Sequence, residues 1–182
     1  MGSIRSFLIF TWGISKMQET VNCWKNTTSP TSCPYMTRLL PSWSVNNDCG
    51  QDKTYLCIRA ADHSKHNLTQ YFRESIVFIH ECRLRGEGCL VHCVAGVSRS
   101  VTLVVAYVMT VTGRGWVESL AAVRCVRPCA GPNLGFLRQL EEFENLQLTQ
   151  YRSWWTERYG NKSFNDNEEI QNLLSRTSNG SC

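Results

Sequence analysis

The sequence predicts an α/β fold, and three observations carry the prediction. A β-rich run from Cys89 to Val91 passes through a glycine-containing loop into the apolar stretch Val101 to Val111, long enough for a buried helix. Thr54 to Ile58 reads as a second strand, and after it Leu68, Phe72, Ile76 and Ile79 share one helical face. Composition agrees, since 182 residues with 42% apolar and 19% charged residues is ordinary usage for one domain with a sizeable core.

Taken in order, Met1-Gly2-Ser3-Ile4-Arg5-Ser6 fits M-G-x-x-x-[ST], an acceptor pattern for N-myristoylation at Gly2. One acyl chain holds a protein to a membrane only marginally. Phe7 to Ile14 is apolar but short for a signal-peptide core, and no stretch is long enough to span a bilayer. Thr11 to Met36 has neither helical nor strand period, and Pro30, Pro34 and Pro41 argue against a central strand in this region. Asn67 with Gln70 three residues later resembles a capping box opening a helix to Leu84, which Gly86 and Gly88 end. Trp116 to Arg124 reads as a short helix, Pro128 to Pro132 as a loop, and Leu134 to about Tyr159 as one helix with Leu140, Phe143 and Tyr151 in the core. Tyr151, Trp154, Trp155 and Tyr159 read as core and interface packing rather than a ligand cage. From about Asn161 the polar composition predicts a loose tail, 161–182.

The chemistry is carried by Leu90-Val91-His92-Cys93-Val94-Ala95-Gly96-Val97-Ser98-Arg99-Ser100. With 10 cysteines in the chain, C-x5-R alone arises about once by chance at this composition, so the spacing by itself proves nothing. Its context adds the specificity. A strand, a tight loop and a helix N-terminus make an anion nest, in which the N–H groups of Val94, Ala95, Gly96, Val97, Ser98 and Arg99 can converge on one anion with the helix dipole behind them. The same field should depress the pKa of Cys93 below the free-thiol value of about 8.5. Arg99 offers a planar fork to two phosphoryl oxygens, and Ser100 can donate to the thiolate when it leaves. The competing readings are an inert buried thiol and a zinc site from His80, Cys82, Cys89, His92 and Cys93. Zinc fits poorly, because His92 and Cys93 alternate on a strand and no C-x2-C pair exists in the chain.

The motif resembles the signature of cysteine-dependent protein phosphatases. The run AADHSKHNLTQYFRESIVFIHECRLRGEGCLVHCVAGVSRSVTLVVAYVMTVTG is similar to the small atypical dual-specificity phosphatases, specifically their N-myristoylated branch, and the resemblance spans about Asp52 to about Asn172. It implies a cysteine-phosphatase fold with a central mixed sheet flanked by helices and a catalytic domain over 51–160. It implies Cys93 as nucleophile, Arg99 as phosphate ligand, and as general acid Asp62, which lies 31 residues before Cys93. The other reading of Asp62 is a turn or helix-entry carboxylate. Asn133 matches the family's asparagine that braces the phosphate loop. No metal or cofactor is implied, and the partners implied are phosphorylated proteins in stress-kinase and receptor signalling, met by a monomer in the cytoplasm or nucleus. A net charge of +4 is too mild to argue nucleic-acid binding.

The departure from the family is the atypical segment 1–50, where its first strands are not recognisable. Read from the third base of each codon, the triplets permitted for 10–18 include YLGNFKDA and those for 24–42 include EKHNITHILSIHD, so the segment reads as the family's own sequence in a shifted frame. The catalytic chemistry is then encoded while the scaffold is in question, and an inactive or phosphoprotein-binding product stays open beside an active phosphatase. The sequons at Asn26, Asn67, Asn161 and Asn179 and the many cysteines would suit a secreted protein, but a thiolate nucleophile needs a reducing compartment. Cys129, four residues before Asn133, is either a buried structural thiol or one close enough to Cys93 to capture its sulfenic acid.

Overall fold

The computed structural model describes residues 36–42, 56–85, 88–160 and 164–178. Gly2, Pro30, Pro34 and the sequons at Asn26, Asn161 and Asn179 lie outside the described residues. Strands β1 (Met36–Ser42), β2 (Leu56–Arg59) and β3 (Gly88–His92) form a sheet in the order β2-β1-β3. Six helices follow the chain: α1 (Phe72–Leu84), α2 (Arg99–Thr112), α3 (Trp116–Val126), α4 (Leu134–Leu146), α5 (Leu148–Tyr159) and α6 (Asp166–Ser178). Among the described residues no single helix is long and apolar enough to cross a membrane.

The prolines argued against a central strand before residue 50, yet β1 occupies the centre. It runs antiparallel to both neighbours, with Leu39 opposite Leu56 on one side and Val91 on the other. The place between β2 and β3 offers two rows of unpaired backbone groups, which any extended segment can satisfy. Pro41 sits one residue from the strand end, opposite Cys89 and beyond the last residue that β2 pairs, where a missing donor costs at most one terminal ladder bond.

β2 delivers the chain to a loop from Ala60 to Leu68. There Asn67 Oδ1 accepts from the Thr69 amide at 3.0 Å and the Thr69 hydroxyl at 2.6 Å, and Gln70 Nε2 donates back to the Asn67 carbonyl at 2.7 Å. These bonds make an Asx turn and not the expected capping box, whose glutamine would accept from the Asn67 amide; a 3-10 turn, Thr69–Tyr71, then precedes α1, and neither carries a side-chain cap bond. Leu68, Phe72, Ile76 and Ile79 are fully buried, as their spacing requires.

α2 is the core of the molecule, buried along almost its whole length. Its three threonines survive there because Thr102, Thr110 and Thr112 each donate to the carbonyl four residues back, at 2.9, 2.9 and 2.7 Å. The single helix expected from Leu134 to Tyr159 is two, broken at Gln147 (φ −124°, ψ −27°). The break lets Leu148 turn inward and sets the Phe143 and Tyr151 rings edge to face at 4.9 Å. Leu140 and Phe143 are fully buried and Tyr151 half-buried.

The expected loose tail is corrected over 166–178, which forms α6. Ile170 and Leu173 bury against the core, a stripe too sparse to show through the polar composition. Asp166, itself buried, grips Arg83 of α1 bidentately at 2.7 and 2.9 Å. Arg83 also donates to the Tyr107 hydroxyl at 2.7 Å, and that hydroxyl lies 3.2 Å from His80 Nδ1. His80 is enclosed by Trp155, Tyr159 and Phe164, with centroids 4.0, 4.5 and 5.7 Å away. Burial, and then the Arg83 charge, lowers its pKa to about 3, so this histidine is neutral packing.

Candidate active site

Cys93 follows the last residue of β3 and lies almost wholly buried at the base of a loop that ends where α2 begins. Gly96 adopts φ 64°, the left-handed region that glycine reaches without strain, and this turns the loop around its own centre. Burial raises the thiol's pKa. Against it act the Ser100 hydroxyl, 3.3 Å from Sγ, the amides of Ser100 and Gly96, and the charge of Arg99; together they prevail and hold the thiol below its ordinary value.

The loop's outer side explains why its amides face inward. Arg127 donates from Nε to the Gly96 carbonyl at 2.8 Å and from Nη2 to the Ala95 carbonyl at 3.4 Å, and the Gly131 amide donates to the Val97 carbonyl at 2.9 Å. In a planar trans peptide the C=O and the next N–H point opposite ways, so tying three carbonyls outward turns the amides of Gly96, Val97 and Ser98 inward. Val94 and Ala95 are exposed at the rim, Val97 is half-buried, and Gly96 and Ser98 are buried. Sequence reasoning missed Arg127, because a lone arginine before Pro128 carries no spacing signature.

Arg99 is buried as the first residue of α2. Its Nη1 donates to the Ala60 carbonyl at 3.0 Å, while Nε, 3.5 Å from Asp62 Oδ2, is buried without a hydrogen-bond partner. Asp62 comes to the same place from the loop after β2. Its Oδ1 accepts from the Ser98 hydroxyl and from Asn133 Nδ2, both at 2.8 Å. Asn133 thus does three things at once: its Oδ1 caps α4 through the Phe136 amide at 3.0 Å, its amide reaches Ser98 Oγ at 3.2 Å, and its Nδ2 holds Asp62. It braces the phosphate loop only through Ser98, and it braces the acid directly.

Other cysteine readings separate here. Cys82 and Cys89 hydrogen-bond to each other in the core, and this raises the Cys89 thiol well above its ordinary range, with burial adding to it. Cys129 is exposed and free, which removes the buried structural reading of it.

Three comparisons place this geometry in a family. The dual specificity phosphatase catalytic domain matches residues 16–146, beginning inside the segment read as departing from the family. Dual specificity protein phosphatase 22-B of Danio rerio is 62% identical over 128 residues, 70% of this chain and 70% of that protein. Dual specificity protein phosphatase 22 of Homo sapiens is 62% identical over 120 residues, 66% of this chain and 65% of that protein. The crystal structure of DUSP15 superposes with a TM-score of 0.54 at 50% identity, over 57% of this chain and 66% of that one. The chain belongs to the dual-specificity protein phosphatases, as one of the small atypical members. Its class of reaction is hydrolysis of phosphotyrosine and of phosphoserine or phosphothreonine in proteins.

Proposed function

We propose that Cys93 is the nucleophile of this reaction, Arg99 and the loop amides its phosphate ligands, and Asp62 its proton donor. The thiolate attacks phosphorus in line with the leaving oxygen, forming an S–P bond as the P–O bond breaks. The inward amides of Gly96, Val97 and Ser98 and the Arg99 guanidinium meet the equatorial oxygens. Because two donors already hold Asp62 Oδ1, the transferable proton belongs on Oδ2, beside Arg99. In the second step Asp62 takes a proton from water, the water oxygen displaces sulfur, and Ser100 stabilises the departing thiolate across 3.3 Å.

The observation that carries this reading is the convergence of Cys93, Ser100, Arg99 and Asp62 from two separate strand ends. Its substrates in this reading are phosphorylated proteins of stress-kinase or receptor pathways. The M-G-x-x-x-S start supports peripheral membrane contact through acylated Gly2, and a thiolate nucleophile supports a reducing cytoplasmic or nuclear setting for a monomer. Turnover of an aryl phosphate in the presence of a chelator tests the chemistry. Cys93→Ser is expected to remove turnover while phosphopeptide binding persists; residual turnover above about a hundredth of wild type, well within the roughly 10⁶-fold scale of nucleophile loss, would refute it.

A further inference from the structure

The loop that carries Asp62 is fastened at three points, two of which involve α4 or its capping residue. At its start the Ala60 carbonyl is held by Arg99, and in its middle Asp62 is held by Ser98 and Asn133. At its end the side-chain amide of Gln139 spans the backbone, accepting from the Leu68 amide through Oε1 at 2.8 Å and donating from Nε2 to the His66 carbonyl at 2.8 Å. Between these fastenings the loop lies directly on α4 at Gly135. A methyl group there would overlap the main-chain oxygen, Cα and carbonyl carbon of Ser64, and a main chain cannot swing aside as a flexible side chain can.

Gly135 stands in the first turn of α4 with no left-handed conformation to require it, in a structure that glycine disfavours. Its absent side chain is therefore needed for space. Gln139 likewise makes both of its amide bonds to the loop's backbone and leaves the loop's own side chains untouched.

We infer that Gly135 and Gln139 are positioning residues for the proton donor: together with Asn133 they make the first turns of α4 a template that fixes the height of Asp62 over the phosphate loop. This rests on Asp62 being the general acid. It predicts a proton donor set in place before substrate arrives, with no closure of its loop.

The test uses the full chain and two aryl phosphates, one with an activated leaving group and one with an unactivated phenol. Gln139→Leu keeps the side chain's size and removes both bonds. It is expected to slow the unactivated substrate about tenfold, a part of the ~10²-fold or more that a general acid supplies, and the activated one about twofold or less. Gln139→Glu, which can still accept from Leu68, should fall between, and Gly135→Ala should resemble Gln139→Leu or exceed it. In an Asp62→Asn background neither change should cost anything more. Equal losses on both substrates, or losses that add fully to Asp62→Asn, would make these residues merely structural and overturn the inference. If Asp62→Asn itself slows both substrates equally, the acid assignment fails instead. Should Gly135→Ala not fold, the two Gln139 variants carry the same decision.

Discussion

Two buried arginines, Arg83 of α1 and Arg99 at the start of α2, are satisfied in opposite ways. Arg83 meets a full carboxylate: Asp166 takes two of its donors at 2.7 and 2.9 Å, and the Tyr107 hydroxyl accepts from it too. Arg99 meets a carbonyl, and the nearest carboxylate oxygen stands 3.5 Å from an Nε that makes no hydrogen bond. A buried cation whose counter-charge the fold supplies is a fastening. One that the fold meets only with a carbonyl and a single carboxylate contact at 3.5 Å keeps donors for an anion that comes from outside, and the inward amides beside Arg99 point to the same guest. Arg127 belongs with the second kind although it never reaches the anion, since it spends its bonds on two loop carbonyls.

The comparison breaks most visibly at Asp166. Asp166→Ala strands the Arg83 charge in the core, and removing one partner of a buried pair costs about 3–5 kcal/mol. For a chain of this length that is a fall in Tm of roughly 6–20 °C. Turnover measured well below the melt should be unchanged, because no contact of Asp166 touches the phosphate loop. A loss of turnover in the still-folded variant would unite the two networks that the structure separates.

Arg127→Met should give the reverse pattern. Without its outward ties the Ala95 and Gly96 carbonyls are free to turn, and the amides that face the phosphate lose their direction. The expected loss in kcat/KM is about 10²-fold, the scale of removing one preorganised oxyanion donor. The accompanying stability loss of about 1–3 kcal/mol, from carbonyls left unpaired, is smaller than at Asp166. A variant that melts like Asp166→Ala and turns over normally would show that Arg127 is only a fastening.

The sequence made one half of this comparison legible and hid the other. Cys93, Arg99 and Ser100 could be read directly because strand, loop and helix are contiguous, so spacing along the chain is spacing in the site. Asp62 and Asn133 were reached only through resemblance, since nothing local distinguishes them from a turn aspartate and a helix cap. Arg127 and Gln139 act on backbone 31 and 73 residues away, and a side chain that bonds main chain leaves no partner residue to recognise. α6 was hidden by composition, since two buried apolar residues and one ion pair hold a helix that reads as solvent-loving. β1 was hidden by Pro41 and by the prolines that precede it, and the break at Gln147 has no glycine or proline to announce it.

The smallest effect, and the one that sharpens the comparison furthest, concerns how Arg99 and Ser100 divide the task of holding the Cys93 thiolate. Burial raises that thiol's pKa, and the Ser100 hydroxyl is the strongest of the contacts that bring it below the ordinary value, ahead of the Ser100 and Gly96 amides and the Arg99 charge. Because the folded pKa is depressed, the thiolate's contribution to stability is fully present above the unfolded value of about 8.5 and is lost as pH falls through the folded pKa. The same titration sets the acidic limb of turnover and of alkylation by iodoacetate. Ser100→Ala removes the hydroxyl and leaves both amides and Arg99, so the thiol's pKa should rise and both limbs should move together to higher pH, with binding of phosphopeptide unchanged. The second chemical step should slow as well, since the departing thiolate loses its donor, and phosphocysteine should accumulate in a burst. An alkylation limb that stays where it was would mean that Arg99 and the amides alone hold the thiolate, and that the hydroxyl at 3.3 Å is a neighbour of Cys93 without a share in its ionisation.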